Sequence, residues 1–129
     1  MIVDTSVLVA MLKEEDDASA LLSRLLAHNG PRRMSAGSLL ELHTAVARYG
    51  YATREFVEQL VDRLGIEVVT FDAALARVGI EAYRHYGRGT GHSARLNFGD
   101  CFAYALAKAT GEPLLFKGDD FSRTDVIAA

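Results

Sequence analysis

Short apolar segments alternate with helix-patterned ones along the whole chain, and this alternation constrains the fold more than any other feature. Met1–Val3, Arg32–Ser35, Ile66–Phe71 (IEVVTF) and Pro113–Lys117 (PLLFK) read as strands. Helical spacing fills the gaps between them. Leu21, Leu22, Leu25 and Leu26 recur with helical spacing across Ala18–Ala27, and Gly30-Pro31 stops that helix. A second helix is expected from Ser38 to about Tyr49, with Leu39, Leu42, Val46 and Tyr49 on one face. Thr53 is the expected N-cap of a third, which buries Phe56, Val57, Leu60, Val61 and Leu64 and ends at Gly65. Asp72 then caps a helix to about Tyr86, and a nearly all-apolar helix runs from Gly99 to about Thr110. Strands this short and this apolar, each followed by a helix, predict a mainly parallel sheet covered on both sides, an α/β sandwich. The 129 residues, half of them hydrophobic, fit one domain spanning 1–129.

In such sheets, ligands bind beyond the carboxyl ends of the strands. Asp4 ends the first strand, and Asp119 and Asp120 follow the last. Asp100 stands in the first turn of the helix that feeds the last strand, where the positive end of the helix dipole favours a carboxylate. Glu41 lies between Leu40 and Leu42 on a face shared with Ala45 and Arg48, a setting that predicts partial burial.

Each acid has an ordinary structural alternative. Asp4-Thr5-Ser6 can cap a helix, Asp100 can open one, Glu41 can be a solvated helix residue, and Asp119 and Asp120 can be turn residues. A metal site accounts for all of them together. Clustered ionised carboxylates repel one another and take up protons unless a cation intervenes. Mg²⁺ or Mn²⁺ suits oxygen ligands and phosphate-ester chemistry. The hydroxyls of Thr5 and Ser6 are placed to orient Asp4 or a water. Arg88, Arg95 and Lys117 are candidates for substrate phosphates.

Other sites fail in detail. The glycine-rich GRGTGHS segment, Gly87–Ser93, has glycines one residue too close for a phosphate-binding P-loop, His92 where lysine is required, and no strand before it. It reads instead as a mobile loop beside the site. His28, His43, His85 and His92 show no ligand-pair spacing, and the single cysteine, Cys101, reads as a core residue. One cysteine also rules out a disulfide framework and points to a reducing, cytoplasmic setting. The opening MIVDTSVLVAMLKEEDD turns acidic too soon for a signal peptide, and no apolar run approaches a membrane span. A net charge of −3 argues against binding nucleic acid through global electrostatics, while leaving room for local capture by metal and arginines.

With these residues in place, the chain resembles a PIN-domain ribonuclease, and more narrowly a VapC-type toxin of a toxin–antitoxin pair. The likeness runs nearly end to end. MIVDTSVLVAML matches the family's opening segment and assigns metal binding to Asp4; SAGSLLELHTAV puts the second acid at Glu41; ARLNFGDCFAYALAKATGEPLLFKGDDF puts the third at Asp100, and SRTDVIAA continues the pattern. The fourth acid departs from it. Ungapped register places Gly118 where many PIN domains carry aspartate, so Asp119 or Asp120 must substitute, with Asp120 favoured because it precedes the anchoring Phe121. The resemblance implies an α/β/α sandwich, cleavage of RNA dependent on Mg²⁺ or Mn²⁺ that arrests translation, and a homodimer. It also implies inhibition by a VapB-like antitoxin, with promoter DNA bound only through that antitoxin.

Two readings from other classes stand beside this one. A phosphorylatable receiver domain shares the length, the acidic pocket and a late lysine, here Lys117. It requires adjacent acids after the first strand, however, where this chain has Asp4-Thr5-Ser6. A catalytically silent antitoxin-binding module would keep the fold without using the carboxylates.

Overall fold

The computed structural model describes residues 1–47 and 51–129. Its elements in chain order are β1 (Ile2–Val3), α1 (Thr5–Leu12), α2 (Ala18–Ala27), β2 (Arg32–Ser35), α3 (Ala36–Val46), α4 (Tyr51–Arg63), β3 (Ile66–Val69), α5 (Ala73–Tyr86), α6 (Asp100–Thr110) and β4 (Leu114–Leu115). A 3-10 turn, Phe121–Arg123, follows β4. The four strands form one sheet in the order β3-β2-β1-β4. Every pairing is parallel.

Adjacent residues of a strand point to opposite faces, and the central strands show this directly. Val3 and Leu115 enter one core with Val7 and Leu8 of α1, Leu25 of α2, Leu42 of α3 and Val57 and Val61 of α4. Ile2 and Leu114 enter the other with Ala82 of α5, Ala103, Leu106 and Ala107 of α6, and Phe121. The sheet is thus covered on both faces, as the alternation of strands and helices predicts. Each fully buried leucine contributes on the order of 1.5–3 kcal/mol.

Several boundaries differ from the sequence reading, for physical reasons. β3 stops at Val69 rather than Phe71 because its partner β2 ends at Ser35, paired with Val69. Ser35 then leaves the sheet to cap α3, its hydroxyl accepting from Gly37 N at 3.2 Å. That cap starts α3 at Ala36, ahead of the expected Ser38. β4 is likewise held to Leu114–Leu115 by the two-residue β1, since Asp4 turns away to cap α1. Thr53 lies inside α4 instead of at its cap. Phe56 is 49 % exposed, contrary to its expected burial, because α4 meets the core through Val57 and Val61, with Leu64 following just beyond the helix. The face residues Arg48 and Tyr49 lie outside the described residues.

Other expectations match the structure. Asp72 caps α5 by accepting from Ala74 N and Leu75 N, each at 2.9 Å. Gly65 has φ +61° just beyond α4, the left-handed geometry that a glycine past a helix end supplies. Cys101 is buried, and burial pushes its thiol up to about 11, which keeps it protonated.

Candidate active site

In the strand order β3-β2-β1-β4 the chain runs outward from β1 to β2 and β3, then returns to β1's other side as β4. The crevice at the carboxyl ends of β1 and β4 is therefore a topological switch point. Asp4 leaves β1 there, Ser35 turns β2 into α3 and so carries Glu41 over the same edge, and the residues after β4 return beneath them. A cavity of about 270 Å³ opens at this edge. Asp4, Glu41, Asp100 and Asp120 all line it, together with Thr5, Ser6, Asn97 and Lys117.

The three inner carboxylates are each held by a local donor. Asp4 is both a helix cap and a cavity residue: its Oδ2 accepts from Ser6 N at 2.9 Å and Ser6 Oγ at 2.6 Å. Ser6 Oγ in turn accepts from Lys117 N at 3.0 Å, tying the start of α1 to the segment after β4. Glu41 Oε2 accepts from Thr5 Oγ1 at 2.8 Å, and the same hydroxyl lies 3.1 Å from the Ser38 carbonyl, so its one proton is shared. Asp100 Oδ2 accepts from Asn97 N at 2.6 Å, while Asp100 N donates to Asn97 Oδ1 at 3.1 Å. This reciprocal pair closes a turn with capping-box spacing just ahead of α6, and it orients Asp100 at the first residue of the helix.

Burial and mutual repulsion govern the electrostatics. Asp4 is only 4 % exposed and Asp100 8 %. Burial raises the Asp4 carboxyl above the usual range against the opposing pull of Ser6, and Asp120 adds repulsion. Glu41 is raised by burial and by Asp4, with Thr5 opposing. Asp100 is pushed up to about 7 by burial first, then by Asp4, Asp120 and Glu41, against the lowering bond from Asn97. No lysine or arginine among the described residues forms an ion pair with any of the four. Lys117 borders the cavity, but its ammonium is held by Glu15 and, at 2.8 Å, by Asp17.

An all-oxygen, uncompensated donor set of this kind fits a hard divalent cation such as Mg²⁺ or Mn²⁺. Among the described residues no three acidic, histidine or cysteine side chains are already drawn into a closed ligand cluster. Asp4, Glu41 and Asp100 share the cavity, but each is turned toward its own protein donor.

The remaining sequence candidates separate clearly. Asp119 is not among the residues lining the cavity, and its carbonyl accepts from Ser122 Oγ at 2.6 Å. Gly118 has φ +91°, a left-handed conformation that disfavours aspartate at that position. Arg88 and Arg95 are exposed and lie outside the cavity lining, with Arg88 Nε donating to the Arg95 carbonyl at 3.3 Å. The loop that carries them is closed at its base by Arg88 N to Leu96 O at 3.0 Å and Leu96 N to Tyr86 O at 2.9 Å. Asn97 was not singled out from sequence, although its position three residues before Asp100 carries the capping-box spacing.

The PIN-domain family model matches residues 1–127. The chain belongs to the PIN-domain family. Among PIN proteins, it is 50 % identical to Ribonuclease VapC42 of Mycobacterium tuberculosis, over 98 % of this chain and 96 % of that protein. Its fold is similar to M. tuberculosis VapC20, a Sarcin-Ricin loop cleaving toxin, with TM-score 0.75 at 22 % identity, covering 99 % of this chain and 97 % of that one. It is also similar to VapBC2 from Rickettsia felis bound to a promoter DNA fragment, with TM-score 0.73 at 20 % identity, covering 99 % and 96 %. The relatives' names place this PIN domain in the VapC branch. The parallel sheet with helices on both faces is the PIN sandwich that the resemblance implies.

Proposed function

We propose that this PIN domain is a Mg²⁺- or Mn²⁺-dependent endoribonuclease, the toxin of a toxin–antitoxin pair, which cleaves RNA and so arrests translation. One observation carries the reading: four carboxylates share a cavity at the sheet's switch point, and no lysine or arginine among the described residues is ion-paired with them. Relatives named as VapC ribonucleases support the choice of RNA as substrate.

Asp4 and Asp100 are the principal metal ligands in this scheme. Glu41 and Asp120 complete the set, with Asp120 preferred over Asp119 because Asp120 alone of the two lines the cavity. A divalent cation held by these carboxylates would supply positive charge at a scissile phosphate and would make a water more acidic. Ser6 donates to the buried Asp4 carboxylate and opposes the upward push of burial, Thr5 does the same for Glu41, and Asn97 orients Asp100. Arg88 and Arg95, exposed outside the cavity, contact the RNA backbone and position it.

The partners follow from the same reading. A VapB-like antitoxin neutralises the toxin, and promoter DNA is bound through that antitoxin. The similarity to the R. felis VapBC2 assembly supports a partner of this kind. A homodimer forms through the apolar face beside the site. Phe71, Ile80, Tyr83, Phe98 and Phe102 line one groove of about 430 Å³, where Phe98 is 76 % and Ile80 52 % exposed. The protein acts in the cytoplasm, and among the described residues no helix is long and apolar enough to cross a membrane.

Sequencing RNA 5′ ends after induction in cells, beside an Asp4→Ala control, tests the function. New ends confined to the wild type support it. Identical end profiles in the two strains contradict it.

A further inference from the structure

We infer that Gly99 is a positioning residue: its bare Cα is the surface against which the Glu41 carboxylate rests, and the lack of a side chain at 99 fixes where Glu41 stands. Gly99 is buried with φ −64° and ψ −41°, ordinary right-handed helical geometry. Glycine is therefore not needed there for backbone freedom. The constraint is space. A Cβ placed on Gly99 would overlap the Glu41 carboxyl carbon and both of its oxygens.

The Glu41 carboxylate ends a flexible, half-buried side chain, so it is the side that yields, and it does so only by leaving Thr5. Glu41 Oε2 is held by Thr5 Oγ1 at 2.8 Å, and the buried Thr5 also reaches the Ser38 carbonyl. Gly99 sits between Asn97 and Asp100, whose backbone is locked by their reciprocal hydrogen bonds. A methyl group at 99 therefore drives the Glu41 carboxylate away from Thr5 and out of its place in the cavity. One small residue sets the spacing between two carboxylates that come from different helices, α3 and α6.

The catalytic consequence rests on the metal-dependent reading proposed above, whereas the steric relation does not, and the test separates the two. Thermal melts in EDTA compare wild type, Gly99→Ala, Glu41→Ala and the double variant. Alanine is tolerated at helical dihedrals, so Gly99→Ala lowers Tm by about 3–6 °C when Glu41 is present and leaves it nearly unchanged in the Glu41→Ala background. A Gly99→Ala protein that fails to fold, beside a folded double variant, gives the same support. Additive effects in the two backgrounds overturn the proposal.

Calorimetric titration with Mn²⁺ supplies the second readout. Affinity is expected to fall at least about tenfold in Gly99→Ala. It recovers partly in Gly99→Ala/Glu41→Asp, whose shorter side chain clears the added methyl. Wild-type affinity in Gly99→Ala also overturns the proposal. A wild type that binds no Mn²⁺ contradicts the metal reading instead, and the melt cycle still decides the role of Gly99.

Discussion

Ser6 donates two hydrogen bonds to one oxygen of Asp4, from its amide at 2.9 Å and its hydroxyl at 2.6 Å, so the most buried carboxylate of the site depends on its neighbour two residues on. The same hydroxyl accepts from Lys117 N and so joins β1's exit to β4's. Ser6→Ala removes the strongest influence opposing the upward shift of Asp4. Stability is expected to fall by about 1–3 kcal/mol, the cost of leaving a buried acceptor short of a donor. Mn²⁺ affinity should fall by about 10–100-fold. Chemical denaturation and calorimetry measure the two effects, and a Ser6→Ala protein unchanged in both would remove Ser6 from the site.

The fourth acid is decided by a pair of single variants. Asp120 lines the cavity and repels Asp4 and Asp100, whereas Asp119 does neither. Asp120→Asn should reduce RNA cleavage by at least about tenfold, and Asp119→Asn should stay within about twofold of wild type. The reverse order would assign the role to Asp119.

Metal-free protein should become less stable as pH rises, the opposite of the usual carboxylate behaviour. Asp100 titrates at about 7 when folded against 3.8 for an unperturbed aspartate, so the folded state binds more protons between those values. Stability is then fully present below the unfolded value and declines as pH rises toward the folded one. The upward shifts of Asp4 and Glu41 act in the same direction. Melts in EDTA should show Tm falling by several degrees from about pH 5 to about pH 8, with the slope reduced in Asp100→Asn. Saturating Mg²⁺ should flatten it. A Tm that rises across this range in EDTA would contradict the electrostatic account.

The exposed apolar face makes a separate prediction. Ile80→Glu combined with Phe98→Asp places two charges in the groove shared by α5 and the start of α6. Light scattering should show the mass falling to that of one chain, with the helical circular dichroism retained. A monomeric wild type would contradict the dimer.

Much of this was legible in the chain because the relevant signals are local. Asp72 and Gly65 mark helix ends through chemistry that acts within a few residues, and Arg32–Ser35 and Ala18–Ala27 fall where pattern alone puts them. Asp4 proved to be a helix cap and a cavity residue at once, two readings that sequence sets in opposition. What could not be read depends on contacts between distant segments. The length of β3 is set by where β2 turns, and the exposure of Phe56 by which side of α4 meets the core. Lys117 looked available to a phosphate, yet Glu15 and Asp17 from the α1–α2 connection hold it. The fit of Glu41 onto Gly99 joins α3 to α6 and leaves no local trace.

The most direct test of the central claim is cleavage of structured RNA by the purified protein, with Mg²⁺ or Mn²⁺ and with EDTA, for wild type and Asp100→Asn. The carboxylate cavity predicts cutting by the wild type only when the cation is present, and by Asp100→Asn at least about a hundredfold more slowly. Full cleavage in EDTA, or undiminished cleavage by Asp100→Asn, would contradict it.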